Sequence, residues 1–223
     1  MRKKIGLLGG TFNPVHLGHL MMAQCALEQA ALDKVYLLPS KAQNYKSMDE
    51  LASAEDRLNM LRLSVEGAEN ISVSDFELAQ KDDYTFTYQT LSRLCDKYPD
   101  TDYYFIIGAD SLMFFENWAH PEILSKKAEI LAFSRKGSFS PYTTMKACSG
   151  IDLTDIEYDE EASLSSKIEE LKERFGTKVS LLDMPYMELS STVIRQRAKM
   201  GLSLDFYVPK AVADYIRDNK LYK

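Results

Sequence analysis

The sequence predicts a doubly wound α/β domain, in which a parallel sheet carries helices on both faces and a small helical tail closes the chain. Short apolar runs alternate with longer amphipathic stretches, which is the pattern of β-α-β units. The 223 residues, of which 45% are hydrophobic, are enough to bury one substantial core. We therefore expect one domain over residues 1–223, with a C-terminal helical subregion over 190–223.

Strands are predicted where short apolar runs stand between turn-forming residues. The strongest signal is Tyr103–Ile107, five apolar residues that end at Gly108. Because parallel strands need crossover connections, each run should be followed by a helix on one face of the sheet. The predicted strands are, in order, Ile5–Leu8, Val35–Leu38, Ile71–Val73, Tyr103–Ile107, Ile130–Phe133 and Val179–Leu182.

Helices are predicted where apolar residues recur at a spacing of three and four. Capping residues refine two of them: Ser53 is expected to cap the second helix, and Thr85 or Thr87 the third. The predicted helices are Leu17–Gln29, Ala54–Val65, Phe86–Cys95, a segment containing Leu164, Ile168, Leu171 and Phe175, and a tail from about Val193 onward.

Residues 138–162 depart from this alternation. They carry an acidic run over 155–161 and show no clear periodicity. Such runs are typical of a solvated surface. We expect this segment to be a surface insertion within the single domain.

Composition excludes several classes of protein. Acidic residues outnumber basic ones by 33 to 27, and the formal charge of −6 argues against nucleic acid as a partner. No apolar run approaches the roughly 20 residues that cross a bilayer. The three cysteines, Cys25, Cys95 and Cys148, are far apart and have no metal-type spacing. These observations favour a cytoplasmic protein that does not associate with membranes.

The first loop, from Gly9 to His19, joins the first strand to the first helix. Ligands of open parallel sheets bind at the carboxyl ends of the strands. Glycines let a ligand approach the backbone, and N–H groups at a helix start attract anions. The loop is neither a dinucleotide fingerprint nor a Walker loop, because it lacks the required glycine and lysine spacing. It predicts a phosphate site of another kind.

His16 and His19 stand three residues apart and should lie on the same side of the helix start. They could be ordinary histidines or half of a zinc site, although His120 is the only other histidine and zinc needs further ligands. With the glycine turn beside them, phosphate contact is the favoured interpretation, since imidazole N–H groups can stabilise the charge that develops during phosphoryl transfer.

A second polar motif, Ser190-Ser191-Thr192-Val193-Ile194-Arg195, precedes the last helical segment. By itself such a run of hydroxyls is usually a helix cap. It also offers donors to an anion, and Arg195, one turn further on, can reach the same phosphates with two N–H groups.

In the middle of the chain, Gly108 and Asp110 follow the strongest strand, at the same sheet edge as the first loop. Asp110 could accept a hydrogen bond from a sugar hydroxyl, and Gly108 would let a base lie against the backbone. Trp118, the only tryptophan, is either a core residue or a ring that stacks on a flat heterocycle at the mouth of the site.

These motifs resemble those of a known superfamily. Gly10-Thr11-Phe12-Asn13-Pro14-Val15-His16-Leu17-Gly18-His19 is similar to the (H/T)xGH signature of the nucleotidyltransferases, and Leu189 to Arg195 is similar to their Ile-Ser-Ser-Thr-x-x-Arg signature. Over nearly the whole length the chain resembles bacterial nicotinate-nucleotide adenylyltransferases. The resemblance rests also on segments at 55–61, 84–91, 98–99, 108–118, 135–137, 208–209, 215–216 and 221–222. It implies a Rossmann-like sheet.

The resemblance also implies roles for individual residues. His16, His19 and Arg195 would be catalytic. The ATP contacts would be Gly9, Gly10, Thr11, Phe12, Gly108, Ser190, Ser191 and Thr192, and the nicotinate mononucleotide contacts would be Lys46, Thr85, Asp110, Trp118 and Arg135. Mg²⁺ would be carried on the ATP phosphates, with no dedicated metal ligands in the protein.

The implied reaction transfers the adenylyl group of ATP to nicotinate mononucleotide and releases pyrophosphate. The attacking phosphate is already anionic, so no general base is needed, in agreement with the lack of a recognisable catalytic triad in the sequence. The alternatives are phosphopantetheine or nicotinamide mononucleotide as acceptor, a cytidylyltransferase, and a nucleotide-binding module without turnover. A homo-oligomer is compatible with the sequence.

Overall fold

The computed structural model describes residues 2–41, 51–82, 85–133, 160–185, 187 and 189–223. Six strands form one parallel sheet in the order β3-β2-β1-β4-β5-β6, which is the Rossmann order. The predicted α/β class is confirmed. The strands are β1 (Lys3–Gly10), β2 (Lys34–Pro39), β3 (Ile71–Val73), β4 (Thr101–Gly108), β5 (Ala128–Phe133) and β6 (Val179–Leu182).

Helices connect the strands and complete the tail. Most lie where apolar periodicity predicts them, and the tail begins at Ser191, two residues before the predicted start. They are α1 (Leu17–Gln29), α2 (Ala54–Ser64), α3 (Thr87–Lys97), α4 (Ala109–Met113), α5 (Pro121–Lys127), α6 (Glu160–Phe175), α7 (Ser191–Lys199) and α8 (Lys210–Asp218), with a 3₁₀ turn over Phe115–Asn117.

Alternation along the strands divides the core into two layers. In β1, Leu8 packs on one face with residues of α1, α2, α7 and α8, whereas Leu7 packs on the other face with residues of α3 to α6. Successive side chains of a strand point to opposite faces, so a sheet buried on both sides reads as an unbroken apolar run. This explains why the strand signals are continuous rather than alternating.

The structure corrects two expectations about helix ends and connections. Neither threonine caps α3: the N-cap is Phe86, whose N–H donates to Oε1 of Gln89 (3.0 Å). Between β4 and β5 the chain forms α4, the 3₁₀ turn and α5, which the sequence pattern did not predict. Elements of three to seven residues are too short to show a helical period. Ser53 does cap α2, since its side chain accepts from the N–H of Asp56.

The C-terminal helices belong to the same core as the first strand. Ile194 of α7 and Val212 and Ile216 of α8 are buried in the layer that contains Leu8. The predicted insertion over 138–162 lies outside the described residues except for its last three positions, which begin α6. Within the described residues, no helix is both long enough and apolar enough to cross a membrane.

Candidate active site

The two motifs and the middle segment converge on the carboxyl edge of the sheet. Gly10 ends β1 and Gly108 ends β4, and these strands are neighbours. From β1 the chain passes to the face that carries α1, and from β4 it passes to the opposite face. The strand order reverses at this point, so the two loops diverge and leave a crevice. Ligands of this fold bind in that crevice.

The first loop turns sharply at Phe12, which has a positive φ of 48° and is almost fully buried. Its ring lies so close to Gly10 that a Cβ there would stand 3.3 Å from the ring. The ring also meets His19 edge-on, with 5.0 Å between centroids. A side chain at Gly10 would therefore press on the Phe12 ring, which in turn packs against the second histidine.

Arg57 of α2 holds this loop from behind, although it is only 1% exposed. Its guanidinium donates to four backbone carbonyls, those of Thr11 (2.8 Å), Ser40 (2.8 Å), Lys41 (3.0 Å) and Ala52 (3.3 Å). Burial lowers the pKa of Arg57, yet a guanidinium stays charged at every physiological pH. The sequence pattern gave this residue no role.

The carbonyl oxygen of Thr11, in the first loop, thus already accepts a hydrogen bond from Arg57. Asn13 and Pro14 show the same arrangement, because their carbonyl oxygens accept from Arg195 (3.0 Å) and from the Ser191 hydroxyl (2.9 Å). By contrast, the N–H groups of Thr11 and Phe12 donate to no residue in the described part of the chain. Backbone N–H groups that converge in a loop are suited to bind an anion.

The two histidines stack at the start of α1. Their ring centroids are 3.7 Å apart with 27° between the planes, and His16 is only 4% exposed. The backbone N–H of His16 donates to Nδ1 of His19 (3.2 Å). Since Nδ1 is an acceptor, a neutral His19 carries its proton on Nε2. His19 therefore offers Nε2–H as a donor from a ring that is half-buried.

Gly18 makes room for this pair, because a Cβ there would lie 3.1 Å from the His16 ring. His120 does not join them: its Nδ1 lies 3.1 Å from Oε1 of Glu122, and its ring meets Tyr88. No group of three or more histidine, cysteine or acidic side chains suited to a metal ion occurs among the residues described.

The second motif lies directly against the first loop. Ser190 caps α7 by accepting from the N–H of Val193 (3.3 Å). Ser191 and Arg195 make the bonds to the loop carbonyls described above, and Arg195 also donates to Thr192 (3.4 Å). Ser191 and Arg195 therefore share one polar surface with the first loop, from which they are separated by 177 and 182 positions in the sequence.

On the opposite side of the crevice, Asp110 lies exposed in the first turn of α4. Its carboxylate occupies the space that a Cβ on Gly108 would need. Trp118 ends the 3₁₀ turn and is half-buried, packed edge-on against Phe105 (6.0 Å) and tilted against Phe115 (5.6 Å). The ring thus packs on the core and remains partly exposed, and stacking on a heterocycle stays a prediction.

An ion pair anchors the turn that carries Trp118. Nζ of Lys167, in α6, lies 2.8 Å from Glu116, and Lys167 is only 8% exposed. Burial raises the pKa of Glu116, but the hydrogen bond from Lys167, a backbone hydrogen bond and the positive charges of Lys167 and Arg174 together outweigh burial, so the pKa is lowered. The tryptophan is therefore fixed by packing on one side and by a charged pair on the other.

Thr85 lies at the end of the segment that follows β3. Its hydroxyl oxygen is buried and makes no hydrogen bond within the described ranges. Lys41 supports this segment by donating to the carbonyls of Gln80 and Asp82. Arg93 reinforces it through Gln80 (2.9 Å) and Asp82 (2.6 Å). Two predicted site residues, Lys46 and Arg135, lie outside the described residues.

Glu77, in the same segment, predicts a pH dependence of stability. Burial raises the pKa of this carboxyl from 4.5 to about 7, although a hydrogen bond from Thr90 (2.8 Å) opposes the rise. The folded state therefore keeps the proton up to about pH 7, whereas the unfolded chain releases it near pH 4.5. Stability falls as pH rises between these values, because the unfolded state binds fewer protons.

We expect Glu77→Gln to remove this loss while an amide oxygen still accepts from Thr90. At pH 8 the variant should be more stable than the unchanged chain by about 2 kcal/mol, after allowance for partial exposure, and at pH 4.5 the two should agree. Urea unfolding at both pH values measures this. Glu66→Gln, which removes an exposed carboxylate, is the control. Equal destabilisation by Glu77→Gln at both pH values would contradict the prediction.

Comparison with known proteins identifies the family. A family model described as cytidylyltransferase-like matches residues 7–197. A protein of Lachnoclostridium phytofermentans named "Probable nicotinate-nucleotide adenylyltransferase" is 39% identical over 220 residues, 99% of each chain. The chain belongs to the nicotinate-nucleotide adenylyltransferase family. A relative of the same name from Rhodopirellula baltica is 37% identical over 98% of this chain and 93% of its own.

Solved structures agree with the adenylyltransferase fold. Nicotinic acid mononucleotide adenylyltransferase of Plasmodium falciparum, complexed with NaAD, superposes with a TM-score of 0.73. It is 22% identical, and the match covers 99% of this chain and 97% of that one. With the relatives of 37–39% identity, the predicted resemblance is confirmed, and the chain is a nucleotidyltransferase of the nicotinate-nucleotide adenylyltransferase family.

Proposed function

We propose that this chain transfers the adenylyl group of ATP to the 5′-phosphate of nicotinate mononucleotide in the cytoplasm. The products are nicotinate adenine dinucleotide, in the biosynthesis of NAD, and pyrophosphate. The observation that carries the proposal is the contact between the two polar motifs, in which Arg195 donates to the carbonyl of Asn13 (3.0 Å). That contact builds one anion-binding surface at the switch point of the sheet, in a chain whose relatives bear the name of this activity.

The triphosphate would lie across this surface. Gly9 and Gly10 let it approach the backbone, and the N–H groups of Thr11 and Phe12 face it. His16 and His19 would hold oxygens of the α- and β-phosphates. Ser190, Ser191, Thr192 and Arg195 would bind the β- and γ-phosphates. Magnesium would enter with ATP, as part of the substrate.

The acceptor would occupy the opposite side of the crevice. Trp118 would stack on the nicotinate ring, Thr85 would meet its carboxylate, and Asp110 would accept from a ribose hydroxyl. The Thr85 hydroxyl, which has no partner among the described residues, and the partly exposed Trp118 ring support this placement. Gly108 would lie against the nucleotide from ATP. Lys46 would contribute positive charge to the acceptor's phosphate, and Arg135 would lie near the same nucleotide.

The chemical step needs little from the protein beyond position and charge. A phosphate monoester is an anionic nucleophile near neutral pH, so no side chain has to remove a proton. In-line attack on the α-phosphate forms one P–O bond and breaks the bond to the β-phosphate oxygen. Fixed donors stabilise the charge on the pentacoordinate phosphorus without reorganising.

Residues 1–223 would form a single nucleotidyltransferase domain. The buried side chains of Val212 and Ile216, near the C-terminus, share a core layer with Leu8 of β1. The two signatures that build the triphosphate surface lie at opposite ends of this chain, so an intact domain is needed to bring them together.

The test is pyrophosphate release from magnesium–ATP with three acceptors in parallel. We expect release with nicotinate mononucleotide and at least about tenfold less with nicotinamide mononucleotide, since an amide lacks the charge that the pocket would recognise. Equal release with both would overturn the proposed selectivity. Release with phosphopantetheine alone would overturn the acceptor, and ATP binding without any release would indicate a nucleotide-binding module.

A further inference from the structure

The C-terminal residues return to the catalytic edge of the sheet. After α8 the chain turns back, and the N–H of Leu221 donates to the carbonyl of Ile216 (3.0 Å). Leu221 and Tyr222 then pack against the core layer of β1. Lys223, which follows, is exposed. Tyr222 thus lies beside the first loop. Its proximity to the loop does not by itself give it a function.

Tyr222 contacts that loop through one defined hydrogen bond. Its hydroxyl donates to Oδ1 of Asn13 (2.9 Å). The same oxygen accepts from the N–H of Ala52 (3.0 Å). A side-chain carbonyl has two lone pairs, so these two donors satisfy Asn13 Oδ1 and fix the plane of its amide. Asn13 is only 8% exposed, and water cannot easily replace a lost donor.

The backbone of Asn13 contacts a residue of the predicted triphosphate site. Its backbone carbonyl accepts from Nη1 of Arg195 (3.0 Å), the residue that would bind the β- and γ-phosphates. The order of contacts is therefore Tyr222, Asn13, Arg195. Burial raises the pKa of Tyr222, with Arg195 and Arg57 lowering it in part, so the hydroxyl keeps its proton at all working pH values. The donor is permanent.

We propose that Tyr222 is a positioning residue for adenylyl transfer, which fixes Asn13 so that the Asn13 carbonyl orients Arg195 toward the triphosphate. This inference rests on the proposed function. In this proposal the hydroxyl of Tyr222 sets the geometry of ATP binding and contributes nothing to the acceptor side.

Tyr222→Phe tests the hydroxyl alone. We expect kcat/KM for ATP to fall about tenfold, because a displacement well below 1 Å at a positioned charge is enough for such a loss. The KM for nicotinate mononucleotide should stay within about twofold of the unchanged enzyme. Tyr98→Phe, which removes an exposed hydroxyl at the far edge of the sheet, is the matched control. An unchanged kcat/KM for ATP in Tyr222→Phe would overturn the proposal.

A double-mutant cycle separates positioning from general stability. If Tyr222 acts through Arg195, Tyr222→Phe should lower kcat/KM for ATP less than about twofold in a protein that already carries Arg195→Lys. If the two residues act independently, their losses in kcat/KM should multiply. In combination with Asp110→Asn the tyrosine effect should multiply in full. If the losses in kcat/KM for ATP multiply when Tyr222→Phe is combined with Arg195→Lys, the proposal is overturned, even if Tyr222→Phe alone lowers kcat/KM.

Truncation provides a second variant and a readout without turnover. Removal of residues 222–223 should weaken magnesium–ATP binding at least about fivefold by calorimetry, and removal of Lys223 alone should not. If the enzyme without substitutions forms no dinucleotide, the proposed function is refuted. The inference about Tyr222 is then still decided by the ATP affinities of the two truncations. Equal ATP affinity of both truncations would overturn it.

Discussion

His19→Ala is expected to lower kcat for adenylyl transfer by about 100-fold, with a much smaller change in the KM for ATP. Removal of one preorganised donor from a developing oxyanion typically costs about 10² to 10³ in kcat. In this structure the Nδ1 atom of His19 accepts from the N–H of His16, so Nε2 carries the proton of the neutral ring. The alanine would remove the donor that the proposed function places on the phosphate undergoing attack.

Two further substitutions distinguish chemistry from folding at this position. His19→Asn places an oxygen near the site of Nδ1 and keeps the acceptor for His16, but it lacks the outer donor. It should be about as slow as His19→Ala and should melt close to the unchanged protein. His120→Ala is the matched control, because His120 contacts Glu122 and Tyr88 and does not join the stacked histidine pair. A loss of less than about tenfold in His19→Ala would contradict stabilisation of the transition state by this imidazole.

Arg57→Met should destabilise the fold by about 4 kcal/mol, the largest stability effect that the site predicts. The substitution preserves much of the buried volume but leaves four carbonyl acceptors without their donor, and each buried, unsatisfied acceptor costs about 1–3 kcal/mol. Relaxation and water entry recover part of that sum. Lysine cannot replace the guanidinium, because an ammonium lacks the fork that spans several carbonyls.

Urea unfolding at pH 7 measures the Arg57 effect. Arg62→Met, an exposed position on the same helix, is the control and should lie within about 0.5 kcal/mol of the unchanged protein. A loss below about 1 kcal/mol in Arg57→Met would mean that the loop carbonyls find other donors. The first loop would then not depend on α2 for its geometry.

The strands and the longer helices could be predicted because their sequence signals are local. The boundaries of Leu17–Gln29, Ile71–Val73 and Val179–Leu182 agree with the structure to the residue. The short helices between β4 and β5 could not be found by period, since each has too few residues to show one. The predicted cap of α3 was wrong for a related reason. The hydrogen bond from the Phe86 N–H to Gln89 has no local sequence signal that would distinguish Phe86 from its threonine neighbours.

At the site, the two signatures predicted where the polar groups meet, whereas the residues that support them were given no role. Arg57 reaches Thr11 across 46 positions, and Tyr222 reaches Asn13 across 209. No local pattern encodes such contacts, because they depend on the packing of helices against the completed sheet. A buried arginine in an amphipathic helix and a penultimate tyrosine look ordinary in sequence.

The central claim is that the loop and α7 hold ATP so that the acceptor attacks the α-phosphate. ³¹P NMR of the reaction with ¹⁸O-labelled phosphate on nicotinate mononucleotide tests it most directly. The account predicts a dinucleotide whose bridging oxygen carries the label, together with unlabelled pyrophosphate. Formation of ADP and a diphosphorylated acceptor would place the attack at the γ-phosphate and would contradict it.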